Sequence, residues 1–189
     1  MPGHHLILGE LTDYLTGQSI PDTHDERLRQ HIARRLAERC GFDRRQIQAR
    51  LQLHVRAGAR QARVPLDFVV RLDRRAAMLV KYGPGSIVTR HRPALAMARL
   101  LGDTVVPVAV VTNGRDADVL DAVSGRLMGS GLDAIPTREQ LRAHLAAARQ
   151  KPVALRQAEM AARIVYAFEV DGSCPCDDSV CRLEGEVDP

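Results

Sequence analysis

The chain has 189 residues, 45% hydrophobic and 26% charged, which suffices for one full core with a small appendage. It has no run of about 18 apolar residues and no basic segment leading into a long apolar one, so neither a membrane span nor a secretory leader is expected, and a cytoplasmic setting is. The net charge of +4 is uneven: from Glu169 onward there are seven acids and one base, a charge of −6, which leaves +10 on the rest.

Most of that positive charge is arginine, whose planar fork suits phosphate, so the body is compatible with nucleic acid. Solvated helix faces account for the same arginines equally well. Three segments are expected: an N-terminal arm over 1–22, an α/β domain over 23–168 and an acidic, cysteine-bearing tail over 169–189.

In the arm, Leu6 to Leu8, Leu11, Tyr14 and Leu15 form short apolar stretches broken by Gly17 and Pro21. His4 and His5 are adjacent and can touch metal only opportunistically. Thr23 and Glu26 have capping-box spacing. The i, i+4 series Leu28, Ile32, Leu36 and Cys40 then predicts a helix with one apolar stripe, stopped by Gly41. Ile47 to Arg56 alternates apolar and polar, a half-exposed strand. After a turn over 57–63, Val64, Leu66, Phe68, Val70 and Leu72 are expected on one side of a second strand, with Asp67 and Val69 on the other. Asp73-Arg74-Arg75 turns the chain into a third strand, Ala76 to Tyr82, which carries Lys81 near its end.

Beyond the Gly83–Ser86 loop, a helix is expected over about 92–101, with Pro93 in its first turn. The apolar run Val105 to Val111 predicts a buried strand, and the strand–helix–strand order suggests a parallel crossover. Thr112-Asn113-Gly114 is a tight turn, and Val119 to Val123 a further strand. Thr137 and Gln140 make a second capping box, opening a helix to about 149 that Lys151-Pro152 breaks. Leu155 to Phe168 reads as a last helix. His54, His91 and His144 are isolated and expected at the surface.

The order helix, three-stranded meander, helix, buried strand and Thr-Asn-Gly resembles the N-terminal nuclease domain of type I restriction enzyme R subunits, within the PD-(D/E)XK nuclease superfamily. Its carriers are DERLRQHIARRLAERCGF, VPLDFVVRLD, AAMLVKYG and VVPVAVVTNGRDADVLD, roughly residues 22–125. The resemblance implies a restriction-endonuclease-like core with a mixed central sheet flanked by helices. It also implies Asp67 as a metal-binding aspartate, Lys81 as the lysine that orients or activates water, Glu26 as an acid supporting the metal, and Mg²⁺ or Mn²⁺ as cofactor. The superfamily's second metal carboxylate, two residues before the lysine, is Leu79 here. Leucine offers no ligand to a hard cation that prefers oxygen.

Each of these residues also has a plain structural explanation: Asp67 in an ion pair, Lys81 as a solvated strand end, Glu26 as the capping-box acid. Cys40, Cys174, Cys176 and Cys181 resemble the iron–sulfur arrangement of AddB-type nucleases, with one early and three late cysteines. Four thiolates suit Zn²⁺ equally, and Cys40 on the apolar stripe suits a core position. The leading expectation is a nucleic-acid-binding protein, with DNA as partner, whose metal-dependent phosphodiesterase activity is weak or lost. An active Mg²⁺/Mn²⁺-dependent endonuclease and a non-catalytic protein-interaction module are the alternatives, and a homodimer is compatible with each. There is no GxxxxGK[ST] loop, so the chain holds no translocating motor.

Overall fold

A computed structural model describes residues 6–147, 151–172 and 181–183. Two short strands, β1 (Gly9–Thr12) and β2 (Ser19–Asp22), pair as an antiparallel hairpin. Helix α1 (His24–Arg34) follows and runs on into a π-helical turn, Arg35–Arg39. Thr23 caps α1, its Oγ1 accepting the Glu26 N–H at 3.1 Å. Only this half of the expected capping box forms, because the Glu26 carboxylate turns away toward Gln30 and Arg50.

The body is one mixed sheet. Strands β3 (Ile47–Ala57), β4 (Arg60–Leu72) and β5 (Arg75–Tyr82) form an antiparallel meander. Helix α2 (His91–Leu100) crosses over to β6 (Val108–Thr112), which pairs parallel to β5 as expected. Antiparallel β7 (Ala117–Asp121) and β8 (Leu127–Ser130) complete the order β3-β4-β5-β6-β7-β8. The sequence reading missed β8, a four-residue edge strand, Leu-Met-Gly-Ser, with two exposed apolar side chains and no alternation to mark it. Helix α3 (Arg138–Ala147) opens on a reciprocal capping box between Thr137 and Gln140, 3.2 and 2.9 Å. Helix α4 (Leu155–Val165) continues as a π-helical turn through Tyr166–Val170. Strand β9 (Cys181–Leu183) pairs with β4 at Gln61–Arg63. Among the described residues no helix is long and apolar enough to cross a membrane.

Two apolar layers sandwich the sheet. Helices α2 and α4 pack on one face, over Leu79, Ala109, Val111 and Leu120. Helices α1 and α3 pack on the other, over Met78, Val80, Val108 and Val110. The second strand departs from simple alternation. Val64 and Leu66 join the α2/α4 layer, whereas Phe68, Val70 and Leu72 join the α1/α3 layer. The break falls at Asp67. Across the ladder, between Ala49 and Leu51, Arg50 adopts φ 55, a left-handed conformation uncommon outside glycine. The hairpin therefore switches faces at the Arg50/Asp67 position, which lays its outer part against α4. A period-two pattern carries no sign of such a break, which is why the five apolar residues were expected on one side.

The Thr-Asn-Gly turn after β6 is fixed by its own side chains. Asn113 Oδ1 accepts the N–H groups of Arg115 and Asp116 at 3.0 and 2.9 Å, and Thr112 Oγ1 accepts that of Gly114 at 3.0 Å. Gly114 has φ 85, and a Cβ there would meet Leu28 Cδ2 of α1 at 2.9 Å. Gly114→Ala is expected to lower stability by about 1–3 kcal/mol in urea denaturation, through strain and the clash together. A change below about 0.5 kcal/mol would contradict this packing.

Candidate functional site

Asp67 and Lys81 come together where β4 leaves the ladder. Phe68 pairs with Val80, so Asp67 stands opposite Lys81 at the next position. Lys81 Nζ lies 3.6 Å from Asp67 Oδ2. The other oxygen of Asp67 accepts Arg29 Nε of α1 at 2.8 Å. Its Oδ2 also accepts the backbone N–H of Tyr82 at 2.9 Å, a ladder-end donor that needs a partner when buried. Asp67 is thus both an ion-pair partner and the cap of β5.

A third acid arrives from a distant part of the chain. Glu169, in the π-helical turn that extends α4, places Oε2 2.9 Å from Lys81 Nζ. The side chains of Lys81, Asp67 and Glu169 are only 9%, 6% and 12% exposed, so the ammonium is enclosed between two carboxylates. Burial pushes the Lys81 pKa down, but Asp67 and Glu169 outweigh it and leave the pKa raised. Lys81 is held as a cation. It is also one of only two lysines among 27 basic residues, so an ammonium stands here in a chain that uses arginine almost everywhere else.

Glu26 joins through an intermediary. Its Oε1 accepts Arg50 Nη2 at 2.5 Å and Gln30 Nε2 at 2.9 Å, and Arg29 Nη1 lies 3.8 Å from its Oε2. Arg29 therefore stands between Glu26 and Asp67. It also lies over the Tyr82 ring, 4.9 Å from the centroid, while Tyr82 Oη donates to Asp25 at 2.8 Å. Arg50 in turn reaches Asp13 Oδ2 at 2.6 Å. Asp13 is fully buried, and burial alone would raise its pKa. Arg50 and the N–H groups of Thr16 and Leu15 override that and bring it down to about 2. One charge network thus ties the N-terminal hairpin, α1, β3, β4, β5 and the end of α4 together.

The row continues across the sheet. Lys81 pairs with Val111, Val111 with Asp118, and Asp118 with Ser130. Asp118 is buried, with Oδ1 accepting Ser130 Oγ at 2.6 Å and Oδ2 2.8 Å from His91 Nε2. His91, expected at the surface, is thereby half-buried at the start of α2. Beside it, the Arg90 guanidinium packs on the backbone of Gly83, where a Cβ would collide with it. A cavity of about 520 Å³ lies elsewhere, at the opposite end of β5 around Arg75 and Ala76, and shares no residue with this row.

The family model for the Type I restriction enzyme R protein N terminus matches residues 24–136. The chain belongs to that family. The match runs from the start of α1 to just past β8, so it includes Glu26, Asp67 and Lys81 and ends well before Glu169. No curated protein and no solved structure matches. The mixed sheet flanked by helices is the restriction-endonuclease-like architecture that the resemblance implied.

The donor set does not fit the divalent ion of that architecture. Asp67 has both oxygens engaged by Arg29, Tyr82 and Lys81, and Glu26 faces three cationic or amide donors. Leu79 is wholly buried in the α2/α4 layer. Among the described residues no group of three or more His, Cys, Asp or Glu side chains could hold a metal ion. Cys40 is a core residue, its Sγ 3.9 Å from the Ile135 carbonyl, and burial raises its thiol pKa despite Arg35 nearby. Cys174 and Cys176 lie outside the described residues, as does the side chain of Cys181.

No sequence motif singles out Arg29, Arg90 or Asp118, and Glu169 is marked only as the first residue of the expected acidic tail. Glu169 did leave a signal: it follows Val165 by four residues and Tyr166 by three, so it sits in the buried stripe of its helix. Lys81→Met is expected to cost about 3–5 kcal/mol in urea denaturation, because Glu169 is left as a buried carboxylate without its cation and Asp67 loses one of two. Adding Glu169→Gln to that variant is expected to restore part of the loss. A cost under about 1 kcal/mol would show that the ion pairs are not enclosed.

Proposed function

We propose that this chain binds the sugar–phosphate backbone of DNA at its nuclease-type site and hydrolyses it weakly or not at all. The observation that carries this reading is the state of Lys81. The family's lysine is present and ion-paired with Asp67 and Glu169, while the place of its companion carboxylate is filled by a core leucine and Asp67 is committed to Arg29 and Tyr82. Such a site keeps a cation that a phosphate can pair with in place of a carboxylate, without a seat for the ion that would activate water.

The surroundings support a polyanionic ligand. Exposed Arg92, in the first turn of α2, and Arg115, in the turn after β6, border the same end of the sheet, where the parallel strands β5 and β6 terminate. Asn113 Nδ2 donates to the Gly85 carbonyl at 3.3 Å, so the two loops at that end are joined. Crevices at the carboxyl ends of parallel strands are a common place for ligands. The charge of +10 on the chain before Glu169 adds long-range attraction.

Fluorescence anisotropy with a labelled DNA duplex tests the reading. Binding is expected at low salt, with an affinity that falls by more than about ten-fold between roughly 50 and 200 mM salt as counterions are released. Incubation with Mg²⁺ or Mn²⁺ is expected to give no strand cleavage above that of an Asp67→Ala variant. Metal-dependent cleavage that Asp67→Ala abolishes, or no binding to any duplex or single strand at low salt, would overturn the reading.

A further inference from the structure

We propose that Glu169 is an internal occupant of the phosphate seat: its carboxylate holds the place on Lys81 that a phosphodiester oxygen of nucleic acid would take, so binding requires the last turn of α4 to yield. This rests on the reading above and adds a regulating residue from outside the family segment.

A carboxylate oxygen and a non-bridging phosphate oxygen are equivalent acceptors for an ammonium: both are anionic and both make short charge-assisted bonds. Lysine has three donors. Glu169 takes one at 2.9 Å and Asp67 stands at 3.6 Å, while the side chain of Lys81 is only 9% exposed. An external phosphate oxygen that pairs with the ammonium therefore has to replace the carboxylate of Glu169. Asp67 cannot serve as the displaceable partner, since Arg29 and the Tyr82 N–H pin both of its oxygens.

A second cation waits beside the seat. Arg90 is close enough for its charge to be felt at Lys81. Its Nη2 donates weakly to the Pro84 carbonyl at 3.3 Å, and its Nε is buried with no hydrogen-bond partner. An unpaired buried donor is unfavourable, and a phosphate seated on Lys81 would supply the missing acceptor. Glu169 leaves that donor unpaired while neutralising the lysine.

The element that carries Glu169 is anchored in the core by Tyr166 and Val170, and one of its polar ties to the rest of the fold lies at the surface. Its turn is π-helical, a form that recurs at functional sites. It is fastened to the β3–β4 hairpin by Arg60, which lies 4.3 Å over the Tyr166 ring and 3.2 Å from Asp171 Oδ2. Arg60 is 60% exposed, and exposed ion pairs are weak.

The test compares the affinity of the full chain and its variants for one DNA duplex at one low salt concentration. Glu169→Gln is expected to tighten binding by about ten-fold, the scale of one charge-assisted hydrogen bond. Glu159→Gln, the same charge change about 15 Å earlier along the same helix, controls for bulk charge and is expected to change affinity less than about two-fold. In a Lys81→Met background the Glu169→Gln gain is expected to vanish. Should Glu169→Gln fail to fold, Arg60→Gln decides: loosening the turn is expected to tighten binding even though a positive charge is lost. Wild-type binding with Glu169→Gln no tighter than Glu159→Gln, or Arg60→Gln weaker than wild type, would overturn the gate and leave the binding function standing. Failure of both wild type and Glu169→Gln to bind would overturn the two together.

Discussion

A buried ammonium between two carboxylates organises this molecule. Lys81 on β5 meets Asp67 on β4 and Glu169 beyond α4, and Asp67 is in turn held by Arg29 on α1. Charges taken out of water are tolerated only when each has a partner, so each of the four elements supplies what a charge on another requires. The face switch of the β3–β4 hairpin serves the same end. By breaking alternation at Asp67 and Arg50, it aims one side chain at Lys81 and the other at Asp13 and Glu26. The outer hairpin then lies against α4, which brings the last helical turn back over the site.

The same arrangement shows how a chain of the type I restriction R-protein family keeps the frame of a nuclease while its site carboxylates are engaged by cationic and amide donors. The frame needs a carboxylate strand beside a lysine strand, and both are present. The chemistry needs carboxylate oxygens free to coordinate an ion. Here Arg29 and the Tyr82 N–H take those of Asp67, Arg50 and Gln30 those of Glu26, and Leu79 contributes only to the core. Glu169 restores a negative charge near the lysine from another direction. It does so as the partner of the ammonium, and it comes from outside the family segment.

Much of the frame was legible in the sequence. The apolar stripe of α1, the meander, the crossover to a buried parallel strand and the Thr137/Gln140 cap follow from periodicity and cap chemistry, and the structure contains each. That Asp67 and Lys81 stand on neighbouring strands followed from the meander, and the family resemblance singled the two out. What escaped has physical reasons. Nothing in the residue type of Arg50 announces a left-handed backbone, so the face switch was invisible. The expected Thr23/Glu26 box assumed that an acid with capping spacing has no better partner, and Arg50 provides one from across the fold. Glu169 lies far downstream of its partner. Its only local mark, an acid in an apolar helical stripe, gains meaning once the stripe is known to cover Lys81.

The account stands on Lys81 being a locked cation. The chain has only two lysines, Lys81 and Lys151, so lysine-selective NMR can follow the Lys81 ammonium through an alkaline titration, with a Lys151→Arg variant assigning its signal. The account predicts that Lys81 keeps its proton to higher pH than an ordinary lysine, and that Glu169→Gln lowers its midpoint toward the ordinary value. A Lys81 that loses its proton below the ordinary lysine value, as a general base freed of its carboxylates would, contradicts it.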